Sequence, residues 1–427
     1  MNDDLHAIAR ERDWEVRPLG SILTAAQYGL SVRGDSMGDL PMLRMNCQQR
    51  GRVVFRDLQY VSRSVRNIDA YLLRPGDLLF NRTNSLEHVG RTALFDQSRE
   101  AVFASYLIRL TVDRAVVDPA YLNYFLNWPR TQRTLKGYAS RGVSQANISA
   151  SKLKDLEVVL PPIETQRAIV RLLDAVDTAL AAEESRLAYL KELWDVTLRR
   201  FFTHSMGGSA TVHLDVDTVP ETWGQRPLGA LGTLVSGGTP PKGVTEYWEG
   251  SVPWMSPKDM KARRLTESAD HITDAAASEF SRLVPAGSIL IVIRGMILAR
   301  EIPICAVDRA VAFNQDVKAI IIGPDIDPDF LLYALLARRE VLERQIGTSA
   351  HGTRRLGTST LETLQIPVAP RDKQKQIGVT MRSIDDRIEI SRRKAILLGE
   401  LLEMLRGEVM TGTTSTDALL TASQSSS

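Results

Sequence analysis

Residues 44 to 66 carry six arginines, Arg44, Arg50, Arg52, Arg56, Arg63 and Arg66, against one acid, Asp57, with Phe55, Tyr60 and the pair Gln48-Gln49 among them. Arginine can clamp a phosphate or pair bidentately with guanine in a major groove, and glutamine can do the same with adenine. A solvated charged face would use the same residues, so this stretch is a candidate surface for nucleic acid and no more. Arg82 stands where the apolar run Asp77 to Phe80 opens into Asn81-Arg82-Thr83-Asn84-Ser85, and Arg294-Gly295 holds nearly the same place later in the chain. Loops at strand ends are where a rigid scaffold presents recognition groups, although Asn84 and Ser85 equally suit turn chemistry. Two Gly/Ser-rich loops carry cations, Tyr138 to Asn147 with Arg141 and Ser144, and Gly347 to Arg355 with His351, Arg354 and Arg355. Small residues let backbone N–H groups approach phosphates, and the cations supply charge. Thr239, Lys258, Asn314 and Gln315 add further side chains of the base-reading kind.

Catalytic signatures are missing from the sequence. It has no GxxxxGK[ST] phosphate loop, no HExxH, no CxxC and no nucleophile elbow. Pro161-Pro162 follows Leu160, where the amino-methyltransferase motif would need Asn, Asp or Ser. The glycine-rich run Gly237 to Gly243 lacks the spacing of a phosphate loop, and His351 has no His or Cys near it to share a metal. Cys47 and Cys305 are too few for a disulfide framework or a metal site, which suits a reducing cytosol. The net charge of +2 announces no global basic field, but residues 1 to 155 hold 22 Lys/Arg against 16 Asp/Glu. The N-terminus has no apolar signal core. The most apolar run, Ile289 to Val307, is interrupted by Arg294, Arg300 and Glu301, so no membrane span is expected and a cytoplasmic location is.

The elements that must position these groups are repeated. Leu156 to Phe202 aligns without a gap on Leu364 to Met410 at an offset of 208. One seam runs Ile169, Leu173, Val176, Leu180, Glu183, Leu187, Leu190, Trp194, Thr197, Phe201. Its counterpart runs Ile377, Met381, Ile384, Ile388, Ser391, Ala395, Leu398, Leu402, Leu405, Val409. This 4-3-4-3 spacing over about four heptads is that of a coiled coil. A stripe of this kind can also be the core face of a bundle helix, but repetition at matched register favours two seams packed on each other. Each helix would be ~57 Å long. Both seams turn polar at one register, Glu183 and Ser391.

Trp14, Arg17 and Pro18-Leu19-Gly20 recur as Trp223, Arg226 and Pro227-Leu228-Gly229, and Asp118-Pro119 recurs as Asp327-Pro328. The run Arg74 to Phe80 has a looser echo in Val284 to Ile291. Nearly the whole chain is therefore a tandem duplication. Two copies fit an internal dimer with antiparallel helices and globular parts at opposite ends, a pseudo-two-fold arrangement. Strands are expected at Arg52 to Phe55, Asp77 to Phe80, Arg91 to Phe95, Tyr106 to Thr111 and Glu157 to Leu160. In the second copy they fall at Val252 to Met255, Ile289 to Ile293, Ile302 to Val307, Val317 to Ile322 and Gln365 to Val368. Helices are expected over Pro119 to Lys136, with Asp118 as N-cap and a kink or early end at Pro129, and over Pro328 to Gln345. Without a βα alternation the class is α+β. The boundaries are 1–160 and 221–368 for the globular domains, 161–204 and 369–411 for the long helices, 205–220 for a linker and 412–427 for a disordered tail.

The chain resembles the specificity subunits of type I restriction-modification systems. The resemblance covers nearly all of it and rests on Leu160-Pro161-Pro162-Ile163-Glu164-Thr165-Gln166-Arg167 leading into the helix, Leu43-Arg44-Met45, Pro75 to Arg82, Ser236 to Pro240 and Trp254 to Asp259. It implies two target-recognition domains in tandem, separated by two long antiparallel coiled-coil helices. It implies double-stranded DNA as ligand, two modification (methyltransferase) subunits and, through the complex, restriction (endonuclease/translocase) subunits as partners, and no catalysis here. S-adenosylmethionine, ATP and Mg would then sit on those partners. Ala369-Pro370 departs from the usual Pro-Pro before the second helix and should weaken its capping. A coiled-coil scaffold that binds only protein, or a self-contained methyltransferase, are the rival readings. The clustered arginines weigh against the first and the missing cofactor motifs against the second.

Overall fold

The computed structural model describes residues 2–141, 145–202, 223–348 and 353–413. Ser144, His351, the linker and all of the tail beyond 413 lie outside them. The chain divides into two units, Met1–Ala182 with Lys394–Ser427, and Glu183–Arg393.

The duplication read in the residues is a duplication of topology. The main sheet of the first unit runs Leu23–Tyr28, Leu107–Val112, Asp77–Asn81, Thr92–Phe95, Arg52–Val53, Gln48–Gln49. That of the second runs Gly232–Ser236, Val317–Ile322, Ile289–Val292, Ile304–Val307, Arg264–Leu265. The Arg52 and Arg264 strands each lie parallel to their inner neighbour, while the other matched pairs are antiparallel. A three-stranded sheet accompanies each, Val102–Phe103, Leu40–Leu43, Gln59–Val61 in one and Ala312–Phe313, Val252–Met255, Asp270–Ile272 in the other. The class is α+β, as expected. All five residues of Asp77–Asn81 and all four of Ile289–Val292 are buried, because these central strands are covered on both faces. Each is preceded by a glycine at positive φ, Gly76 at 98° and Gly287 at 84°, which explains the loose echo between those stretches.

Several strands are shorter than the apolar runs suggested. Only Arg52–Val53 forms from the first run, and Leu107 rather than Tyr106 starts the fourth. Asp118 caps Pro119–Leu126 by accepting from the N–H of Ala120 and Tyr121, and Pro129 starts a separate helix, Pro129–Tyr138. The second copy also breaks, without a proline. Pro328–Ala337 ends at Arg338, whose N–H donates to both Ala334 and Leu335 carbonyls, a tightening turn after which Arg339–Glu343 begins.

The long helices are Ile163–Phe202 and Arg371–Met410, each 40 residues and so about 60 Å. In the first unit Ile169, Leu173 and Leu180 share a core with Leu402 and Val409, while Val176, Leu398 and Leu405 pack against it. In the second, Trp194, Leu198 and Phe202 share a core with Ile377, Met381 and Ile384, with Phe201 and Ile388 at its margin. The start of one helix thus meets the end of the other, the antiparallel pairing expected. Leu187 is half-buried and Leu190 buried. Near the end of the first helix the seam slips by one residue, so that Leu198 and Phe202 are buried where Thr197 and Phe201 were expected. A straight helix drifts about 20° per heptad against a 3.5-residue repeat, and aromatic packing on Trp223 and Phe330 takes up that drift.

Gln166 and Gln374 explain the repeated Pro-x-x-x-Gln. Gln166 accepts from the Asp118 N–H at 2.9 Å and donates to the Pro161 carbonyl at 2.8 Å, and Gln374 does the same with Asp327 and Ala369 at 2.8 and 2.9 Å. Both are buried, and each ties a long helix to the capped start of its domain helix. The Ala369 departure leaves these bonds in place.

Candidate nucleic-acid interface

In the first unit the strand-end arginine is the centre of a built surface. Asp77–Asn81 delivers Arg82 beside the end of Leu23–Tyr28, and its guanidinium lies 4.8 Å from the centre of the Tyr28 ring. The Arg82 N–H donates to the Tyr106 carbonyl, and its own carbonyl accepts from Ile148. Its Nη1 reaches the Ser105 carbonyl at 3.4 Å, while Nε is buried without a partner among the described residues. Thr83–Asn84 pairs with Ala146–Asn147, which pairs with Ser140–Arg141. The strand-end loop and the Gly/Ser-rich loop thereby become one small sheet, with Tyr28 and Tyr106 exposed next to it. Asn84 accepts from the Ser85 N–H at 2.8 Å, so its oxygen serves the turn.

The second unit assembles the same three segments with other side chains. Arg294 donates from Nε to Asp316 at 2.6 Å and bridges to Arg355, and the Gly295 N–H donates to the Arg354 carbonyl. Arg354 and Arg355 are exposed on a short strand that pairs antiparallel with Gly347–Thr348. Thr239 donates to Gln315 Oε1 at 2.5 Å, joining the glycine loop to the Asn314-Gln315 turn. Asn314 is buried, and its oxygen accepts from the Asp316 N–H. The glycines serve packing rather than phosphate, because a Cβ at Gly237 or Gly238 would meet the Phe313 or Phe280 carbonyl at 2.1 or 2.0 Å. Lys258 is tied to Asp270 at 2.6 Å, and Trp254 is core, donating its ring N–H to Gly238.

The first part of the stretch 44 to 66 is not brought to the Arg82 surface. Gln48–Gln49 and Arg52–Val53 form the opposite edge of the sheet from Tyr28. Arg50 and Gly51, both at positive φ, make the two-residue turn between those strands, which leaves Arg50 and Gln49 exposed. The Gln48 amide donates to the Leu79 carbonyl and Arg44 to the Asp57 carbonyl, both at 2.7 Å. Arg56 is largely exposed beside Asp57, and Arg63 pairs with Glu100. Arg52 turns instead to the first long helix, donating to Asp174 at 2.7 Å and to Asp96 at 3.2 Å. Burial works against its charge, but the carboxylates of Asp174, Asp96 and Asp177 outweigh that and raise its pKa. Tyr28 and Tyr106 are the surface residues that sequence reasoning missed. An aromatic after an alternating strand carries no signal of its own until pairing sets it beside an arginine.

Among the described residues no group of three His, Cys, Asp or Glu could hold a metal, and no helix is long and apolar enough to cross a membrane. The model of the type I restriction modification DNA specificity domain matches residues 11–192 and again 220–398. The chain belongs to this specificity family. A Methanocaldococcus jannaschii protein assigned as the type I restriction enzyme MjaX specificity subunit is 25% identical over 410 residues, 94% of this chain and 93% of its own. The Escherichia coli EcoR124I/EcoR124II specificity subunit is 34% identical over 160 residues, 37% of this chain and 40% of its own. A crystal structure of the S subunit of a type I restriction-modification system from M. genitalium shares the fold, with a TM-score of 0.66 at 16% identity over 93% of this chain and 96% of that one. The two matched segments of the specificity family are the two copies read from Trp14 and Trp223 onward, each a recognition domain followed by a long helix.

Proposed function

We propose that this chain reads an asymmetric bipartite DNA target, one half-site per recognition domain, and performs no chemistry itself. One observation carries the reading. The two domains share topology and assemble the same three segments, but present Tyr28, Arg82 and Ser105 in one and Thr239, Arg294 and Gln315 in the other. A common frame with different donors and acceptors reads different base edges. The long helices set the gap between half-sites. The methyl donor, ATP and Mg belong to modification and restriction subunits, which this chain directs to the site. Exposed apolar residues on the helices support two modification subunits per chain. Tyr189 and Val196, 64% and 56% exposed, are the repeat counterparts of Leu397 and Met404, 63% and 60% exposed. Each pair is heptad-spaced, so each unit offers an equivalent apolar rail. Mapping methylated sites in cells that carry this chain with its cognate subunits tests the reading. Two unlike half-sites around an unread gap are expected, and a palindromic or uninterrupted site would overturn it.

A further inference from the structure

The mechanism above leaves one set of charged groups unused, where each recognition domain meets the long helices. In the first unit Arg52, on the outer part of the main sheet, reaches across to Asp174 and lies 3.8 Å from Asp177, both on the first long helix. It also holds Asp96, just past the neighbouring strand. The Tyr124 hydroxyl donates to Asp174 at 2.7 Å, so one carboxylate receives the sheet and the domain helix together.

The second unit rebuilds this junction with the strand arginine kept and the charge on the long helix reversed. Arg264 occupies the strand position of Arg52 and pairs with Asp308, just past the neighbouring strand, and with Asp329. Asp329 in turn meets Arg382, at 3.4 Å, which is the repeat counterpart of Asp174. Tyr333, the counterpart of Tyr124, donates to Asp385 at 2.7 Å, and Asp385 is the counterpart of Asp177. Arg263 donates to Asp385 at 2.6 Å and lies 3.8 Å from the centre of the Trp194 ring on the first long helix. The helix position 174/382 thus changes sign, and the domain helix supplies a matching acid, Asp329, where the first unit has Ala120. Surface charge serving solubility alone has no reason to change in pairs.

We propose that these two junctions are struts that fix the angle of each recognition domain on the helices, and that Arg52, Asp174, Arg264 and Asp329 are positioning residues for spacer-length discrimination. The proposal rests on the bipartite reading above. The geometry gives the reason. Apolar contacts between a sheet and a helix tolerate small rotations, whereas directional hydrogen bonds to a guanidinium fork do not. A rotation of one domain moves its half-site contacts along the duplex, so loss of a strut widens the range of gaps accepted while leaving each half-site reader intact.

The test uses the complete complex with its modification subunits, bound to duplexes carrying the wild-type half-sites at the mapped gap and at gaps one base pair shorter and longer. Asp174→Asn keeps an acceptor for Tyr124 and preserves folding. Arg52→Ala removes the cation, and the double variant completes a cycle. Discrimination between the mapped gap and its neighbours is expected to fall by about tenfold in each single variant and no further in the double, as coupled partners behave. The half-site bases and the salt dependence should not change. A flatter salt slope for Arg52→Ala, by about 0.9 for one phosphate contact, would make Arg52 a DNA ligand and overturn the strut. So would an unaltered gap profile, or additive losses. A wild-type complex that accepts no bipartite site at all would instead overturn the reading on which the strut rests.

Discussion

Ser391 donates its hydroxyl to Glu183 at 2.6 Å, and the two residues are 208 apart, the offset of the repeat itself. A residue in contact with its own counterpart marks where two antiparallel copies of one helix cross in register, as in an isologous interface. Polar seam positions commonly specify register at a cost in stability. Replacing both by leucine should therefore stabilise the helix pair by about 1–3 kcal/mol, the gain from burying two apolar side chains in part. Thermal unfolding of the double variant checks this, and a lowered Tm would show that the polar pair itself holds the crossing together.

The buried glutamines answer to a different measurement. Gln166→Ala or Gln374→Ala leaves a capping N–H and a carbonyl without partners inside the protein. Each should cost about 2–6 kcal/mol, two buried groups at roughly 1–3 each. Denaturant unfolding of either variant within 0.5 kcal/mol of wild type, taken roughly as the scatter of neutral surface substitutions, would remove them as anchors.

Arg82 has a side chain held by Tyr28 and, among the described residues, no carboxylate paired with it, whereas Arg294 is paired with Asp316. Arg82→Ala should therefore relax one base position of one half-site, by about 1–3 kcal/mol of discrimination, and leave the other half-site unchanged. Methylation mapping reads this directly. A uniform loss over all sequences with a flatter salt slope would instead assign Arg82 to phosphate.

Tyr189→Glu and Leu397→Glu each place a charge on one apolar rail, and both side chains are exposed, so folding should survive. Light scattering of each purified complex should show one modification subunit lost, and the combined variant should lose both. A full complement in the combined variant would move the docking surface elsewhere.

The gap between half-sites is a property of the helices under the proposed function. Seven residues inserted after Leu187, with seven more in the facing stretch between Arg387 and Ile388, keep both seams in register. The accepted gap should grow by roughly 10 Å, about three base pairs. An unchanged gap with full activity, or altered half-site bases, would mean that the helices do not set the spacing.

The residues alone determined the duplication, the heptad seams, the capped helices at Asp118 and Asp327, and the family. Each of these is a local or periodic property, in which spacing along the chain dictates which side chains share a face. They also pointed to Arg82 and Arg294, because the end of a buried strand is legible from composition. Only the tertiary structure decided what the arginines do. Arg52 and Arg56 are four apart in a basic run, yet one is drawn to Asp174, 122 residues away, while the other stays at the surface. Charge density along a sequence cannot show where a carboxylate lies across a fold. Strand pairing likewise placed Tyr28 under Arg82, and helix drift moved the buried seam from Phe201 to Phe202. Those outcomes depend on distances between segments remote in sequence, which close only when the sheets and the helix pair have packed.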